Sequence, residues 1–135
     1  MSAVDLALPR LQLEEGFRAL PYKDTQGHLT VGYGCNLDAG LSRTAASALL
    51  GAQAGETHQS LLKFDWYATL DDVRQSACLD IAFNEGIGGL LHFPHMISAL
   101  AAHDWETAAN ECKVQDPLLA YRYAALAQIL LTGAI

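Results

Sequence analysis

Three side chains near the N-terminus could carry chemistry: Glu15, Asp24 and Thr30. They lie in the stretch LEEGFRALPYKDTQGHLTVGYG, Leu13–Gly34, with eight residues between the first two and five between the second two. Each also has an ordinary reading. Glu15 precedes Gly16 where an apolar-periodic segment stops, so it is a carboxylate at a helix C-terminus. An anion there faces the negative end of the helix dipole, at a cost of about 0.3–1 kcal/mol, so stability alone does not account for it. Asp24 opens the tetrad Asp24-Thr25-Gln26-Gly27, which fits a type I turn. Thr30 sits in the β-prone run Leu29-Thr30-Val31.

Together the three point to glycoside hydrolysis. A hairpin turning at Asp24 folds Thr30 back towards Tyr22–Asp24. The hairpin leaves the helix at Gly16, so Glu15 can face the same space. A protonated carboxylic acid can give its proton to a glycosidic oxygen. The second carboxylate can orient a water or stabilise an oxocarbenium ion.

The motifs Glu15-Gly16, Tyr22-x-Asp24, Gly27-x-x-Thr30 and Gly32-Tyr33-Gly34 resemble, in order and spacing, the phage-type (T-even phage) lysozymes, glycoside hydrolase family 24. A second match is LDDVRQSACLDIAFNEGIGGLLHF, Leu70–Phe93, with an Ala- and Phe-containing helix running to Asn84 before glycine. A third is Arg122, spaced before Thr132-Gly133 as an arginine is in the family. The resemblance implies an α+β, lysozyme-like fold: a small antiparallel sheet lobe and a larger helical lobe flanking a saccharide cleft. It implies Glu15 as general acid, with Asp24 and Thr30 holding the attacking water. It implies cleavage, with inversion, of the β-1,4 bond between N-acetylmuramic acid and N-acetylglucosamine. Arg122 is expected near the catalytic glutamate, as active-site support. Asn84 is expected either to bind a sugar acetamide or to cap its own helix. Tyr33 either stacks on a saccharide or packs in the hairpin. Gly32 and Gly34 mark backbone approached closely by a sugar or a neighbouring group.

The whole chain sets further bounds. Its 135 residues, 51% of them hydrophobic, suit a single domain with a sizeable core. No apolar run approaches the ~20 residues of a membrane span, so no membrane insertion is expected. A net charge of −7 argues against a nucleic-acid partner and against strong steering towards an anionic wall. Cys35, Cys78 and Cys112 are expected to be reduced thiols. No metal or other cofactor is expected: His92 and His95 straddle Pro94 with no third ligand type beside them. The expected partner is bacterial peptidoglycan, met by a monomer made in the cytoplasm without a signal peptide and released through a holin.

Several elements must position these residues. A first helix over Val4–Glu15 is capped by Asp5, or else starts at Pro9. Extended segments follow over Arg18–Lys23 and His28–Gly34, then a loop over Asn36–Gly40. The sheet lobe spans about 16–40. A connecting helix runs over about 42–63, capped by Ser42 or Thr44 and weakened by Gly51 and Gly55 at roughly 1 kcal/mol each. The helical lobe spans about 66–135, joined by the N-terminal helix. It opens on the aromatic knot Phe64-Asp65-Trp66-Tyr67 and a capping box at Thr69-x-x-Asp72. A turn at Gly86, Gly88 and Gly89 ends that helix. Helices over Pro94–Ala102, Trp105–Val114 and Pro117–Leu131 complete the chain.

Two other functions fit the same residues. A lytic transglycosylase needs Glu15 but no water held by Asp24 and Thr30. A saccharide-binding module without turnover would fit the acidic charge. Chitin or chitosan is an alternative substrate.

Overall fold

A computed structural model describes residues 1–135. Seven helices and a small sheet make an α+β chain. Their order is α1 (Ala3–Glu15), β1 (Arg18–Lys23), β2 (Leu29–Gly32), β3 (Cys35–Asn36), α2 (Arg43–Leu61), α3 (Asp65–Ala68), α4 (Asp72–Leu90), α5 (Pro94–Ala101), α6 (Trp105–Glu111) and α7 (Pro117–Thr132). The chain divides into two compact units, Met1–Ala48 and Leu49–Ile135, with the boundary inside α2.

The first unit holds α1 and the sheet. Ser2, rather than Asp5, caps α1: the Ser2 hydroxyl accepts from the Asp5 N–H, and Asp5 accepts from the Ser2 N–H at 2.8 Å. This reciprocal box satisfies two N–H groups at once, which a lone Asp5 cap could not. Pro9 falls inside the helix rather than at its start. The helix stops at Glu15 because Gly16 takes φ 66°, ψ 151°, a conformation closed to most L-residues. The three strands are antiparallel in the order β1-β2-β3, with Tyr22 opposite Thr30 and Val31 opposite Cys35. Asn36, where the sequence predicts a loop to begin, instead joins Cys35 in the third strand; two residues carry no alternation that could announce a strand. Ser42 caps α2 by accepting from Ala45 N–H at 3.1 Å. Gly51 and Gly55 are absorbed in the continuous helix.

The second unit contains the core. Leu61, Tyr67, Cys78, Ile81, Leu90, Met96, Leu100, Tyr123 and Leu130 are all buried. The aromatic knot packs as expected: Tyr67 is fully buried, and its ring meets Trp66 edge-on at 5.8 Å. His58 Nδ1 lies 2.8 Å from the Tyr67 hydroxyl. The cap of α4 is Asp71, not Thr69. The Asp71 carboxylate accepts from Arg74 N–H at 3.0 Å, while the Thr69 hydroxyl donates back to the Asp65 carbonyl. Nor does the glycine cluster end α4. Only Gly86 leaves helical geometry, at φ 78°, ψ 162°, and Gly88 and Gly89 continue to Leu90 beyond the kink. The helices α5 and α6 end at Ala101 and Glu111, short of the expected Ala102 and Val114. Asp116 caps α7 with Pro117 at its first position, and Gly133 ends it in the left-handed conformation.

Arg74 fastens the two ends of this unit's helical layer. Its guanidinium donates to the carbonyls of Leu130 at 2.8 Å and Leu131 at 3.3 Å, and to Asp71 at 2.7 Å. It also lies 3.9 Å over the Trp105 ring. The last turn of α7 exposes exactly such unpaired carbonyls, and a cation is the favoured partner.

Candidate active site

Glu15, Asp24, Thr30, Tyr33 and Gly34 all belong to the first unit. Asp24 does more than open a turn. Its Oδ1 accepts from the backbone N–H of Gln26 at 2.9 Å and of His28 at 2.8 Å. The backbone closes the same turn, with Gly27 N–H donating to the Asp24 carbonyl at 3.0 Å and Asp24 N–H donating to the His28 carbonyl at 2.9 Å. The His28 hydrogen bond, helped by that from Gln26, holds the Asp24 carboxyl below the usual carboxylate range, against a smaller opposing effect of desolvation. Oδ1 is thus engaged, and Oδ2 remains an acceptor. The next residue of the strand is fixed from the other side, where Asp38 accepts from Leu29 N–H at 2.9 Å.

Thr30 is 3% exposed and stands opposite Tyr22 in the β1–β2 ladder. Its hydroxyl donates to the His28 carbonyl at 3.0 Å. With its proton committed, Oγ1 faces any further partner as an acceptor.

Glu15 ends α1, and its side chain is exposed. Its surroundings are steric: Gly34 stands directly against it, at φ 71°. Tyr33 is half-exposed, and its ring lies 5.5 Å from that of Phe17 in a tilted contact. That contact is the hairpin packing expected for Tyr33, and it leaves ring surface open to solvent.

Asn84 and Arg122 belong to the second unit, where a polar network joins α4 to α7. Arg122 Nε donates to Asp80 Oδ1 at 2.7 Å, and Arg122 Nη1 donates to Asn84 Oδ1 at 3.2 Å. Asn84 Nδ2 donates to Glu85 at 3.1 Å, and the Tyr123 hydroxyl donates to the same carboxylate oxygen at 3.1 Å. Burial, followed by that bond to Glu85, pushes the Tyr123 phenol up to about 12, so it stays a donor. Asn84 therefore does not cap its helix. One Nδ2 proton and one Oδ1 lone pair remain for another partner. Asp80 holds Arg122, a partnership that sequence spacing does not reveal. The available signal was the i,i+4 placement of Asp80 and Asn84, which puts both on one face of α4.

The second unit also has a pocket of about 560 Å³, lined by Glu85, His92, Phe93, His95, Glu111 and Lys113 among others. A smaller one, about 360 Å³, is lined by Leu50, Leu79, Asp80, Phe83 and Arg122 among others.

Seven helices with a small three-stranded antiparallel sheet make the α+β fold of the lysozyme-like class. The family model for phage lysozyme matches residues 12–117, most of the chain, and the chain belongs to the phage lysozyme family. The match takes in Glu15, Asp24, Thr30, Tyr33, Gly34 and Asn84, and stops before Arg122. A search of curated proteins returned no match. Membership makes the chain a peptidoglycan-hydrolysing endolysin in general terms.

Proposed function

We propose that this chain is an inverting muramidase of the T-even phage type, glycoside hydrolase family 24. It cleaves the β-1,4 bond between N-acetylmuramic acid and N-acetylglucosamine, the lysozyme reaction of EC 3.2.1.17 type. Glu15 gives its proton to the glycosidic oxygen as the bond to the anomeric carbon breaks. A water held by Asp24 and Thr30 attacks that carbon from the opposite face, and its proton passes to the Asp24 carboxylate. The product is a reducing-end N-acetylmuramic acid of inverted configuration.

The observation that carries this reading is the hydrogen-bond state of the hairpin. Asp24 Oδ1 is occupied by two N–H groups, and the Thr30 proton by the His28 carbonyl. Both groups are left as acceptors for one water. A transglycosylase forms its 1,6-anhydro ring without any water and has no use for that pair.

In this reading Tyr33 meets the saccharide in the first unit, while the close approach to Gly34 is made by Glu15 and not by a sugar. Asn84 meets an acetamide, and Arg122 supports it by fixing the Asn84 carbonyl. The protein acts as a monomer, reaches the wall through a holin, and needs no metal. No helix is long and apolar enough to cross a membrane.

The test is mass spectrometry of muropeptides after incubation with purified peptidoglycan. Reducing-end N-acetylmuramic acid is expected, and Glu15→Gln should abolish it while leaving the thermal melt unchanged. Products one water lighter, with 1,6-anhydro ends, would replace the proposal with a transglycosylase. Tight saccharide binding without products would replace it with a binding module. Full activity of Glu15→Gln would remove the central assignment.

A further inference from the structure

We propose that Gly34 is a positioning residue for the acid: the place of its missing side chain is the seat of the Glu15 carboxylate. The proposal rests on Glu15 being the general acid. A Cβ built on Gly34 would stand 2.6 Å from Glu15 Oε2 and 3.3 Å from Glu15 Cδ. Real Cβ atoms do not approach oxygen so closely, so a side chain at 34 and this carboxylate position exclude each other.

Backbone conformation alone does not explain the glycine. Gly16, Gly27, Gly32, Gly34 and Gly40 all have positive φ, and a Cβ on any of the other four would meet nothing within 4 Å. Within the first unit Gly34 is singled out by what occupies its Cβ space.

The approach follows from the sheet register. Arg18 pairs with Gly32, and the next rung outward is the Phe17–Tyr33 ring contact at 5.5 Å. One step further, the two chains bring the end of α1 against Gly34. The course of the two chains past their last paired residues thus sets the helix exit against the turn between β2 and β3, where Gly34 lies. Gly34 leaves open the place that the exposed Glu15 side chain takes, and a side chain at 34 would close it. A general acid must hold its proton within hydrogen-bond reach of the leaving oxygen, and a displacement of about 1 Å can cost about 10²-fold. Removing the seat should therefore affect kcat and spare KM.

The experiment compares wild type with Gly34→Ala, Gly32→Ala, Glu15→Gln and the double variant Glu15→Asp/Gly34→Ala beside Glu15→Asp. Release of reducing ends from purified peptidoglycan is measured at equal folded fraction. Gly32→Ala imposes the same backbone strain with nothing to displace. Gly34→Ala should lower kcat about 10²-fold with KM within about threefold, while Gly32→Ala stays within about fivefold of wild type. The shorter Glu15→Asp side chain withdraws from the new methyl, so Gly34→Ala should cost at least fivefold less in that background. Equal loss of kcat in Gly34→Ala and Gly32→Ala, with Glu15→Gln inactive, overturns the positioning role and leaves the acid assignment intact. Full activity of Glu15→Gln overturns the acid assignment itself. If Gly34→Ala does not fold, NOEs between Gly34 Hα and Glu15 Hγ protons of the wild type decide the question, and their absence overturns the proposal.

Discussion

Thr30→Val separates the two things that the Thr30 hydroxyl can do. The substitution is nearly isosteric at a site 3% exposed, and it removes one hydroxyl that donates to the His28 carbonyl at 3.0 Å. That carbonyl keeps a second partner, the Asp24 N–H at 2.9 Å, so it is not stranded. The lost hydrogen bond is worth about 1 kcal/mol, and the added methyl recovers part of that by burial. Unfolding entropy near 2.1 cal/mol/K per residue makes 1 kcal/mol worth about 4 °C in a chain of this length. The melting temperature should therefore fall by no more than about 4 °C. Catalysis should suffer more. If Oγ1 is one of two acceptors orienting the water, its loss should lower kcat about 10²-fold, or about 2.7 kcal/mol of barrier. Thr30→Ser keeps the hydroxyl and should stay within about tenfold of wild type. The assay is release of reducing ends from peptidoglycan, run beside a thermal melt of each variant. Activity of Thr30→Val within threefold of wild type would refute water positioning at Thr30. Equal collapse of stability and activity would show the hydroxyl to be a structural group.

Arg74→Ala should cost about 3 kcal/mol, because it removes two charge-assisted bonds to the end of α7 and the contact with Trp105. Calorimetry should show a fall of roughly 10 °C in the transition of the intact chain, and a fall below 3 °C would contradict the fastening role. Burial pushes the thiols of Cys78 and Cys112 up to about 12, whereas Cys35 is only half-buried. Thiol titration of the native protein at pH 8 should count one fast-reacting group, rising to three in denaturant. Hydrogen bonds hold the folded Asp24 carboxyl below its unfolded value, so its contribution to stability is complete above the unfolded pKa and is lost as pH falls through the folded one. NMR titration should place the Asp24 midpoint below the ordinary 3.8, and a midpoint above it would contradict the turn geometry.

Much of the first unit could be read from local chemistry. Gly16 stops α1, the Asp24–Gly27 tetrad turns the chain, and β1 occupies the expected Arg18–Lys23. Ser42 and Pro117 mark helix starts, and Gly133 marks a helix stop. All of these signals act within about four residues, through φ preferences and side-chain-to-backbone bonds, and so they survive in a one-dimensional reading. The same local rules misplaced two caps. Ser2 and Asp71 each compete with a neighbouring candidate, and the choice depends on where the first helical turn settles. The kink at Gly86 is not legible locally either, because a glycine cluster does not say which of its members leaves the helix.

The sequence alone determined the order of Glu15, Asp24 and Thr30 along a helix exit and hairpin, because those are properties of neighbouring residues, and its resemblance to a family implied the fold class. Tertiary structure decided which atoms meet. It gave Asp80 and Asn84 to Arg122, forty-two and thirty-eight residues away. It gave Arg74 to the end of α7, and it set the carboxylate of Glu15 in the empty space at Gly34. Such contacts depend on strand register and helix packing, and no local preference of either partner encodes them.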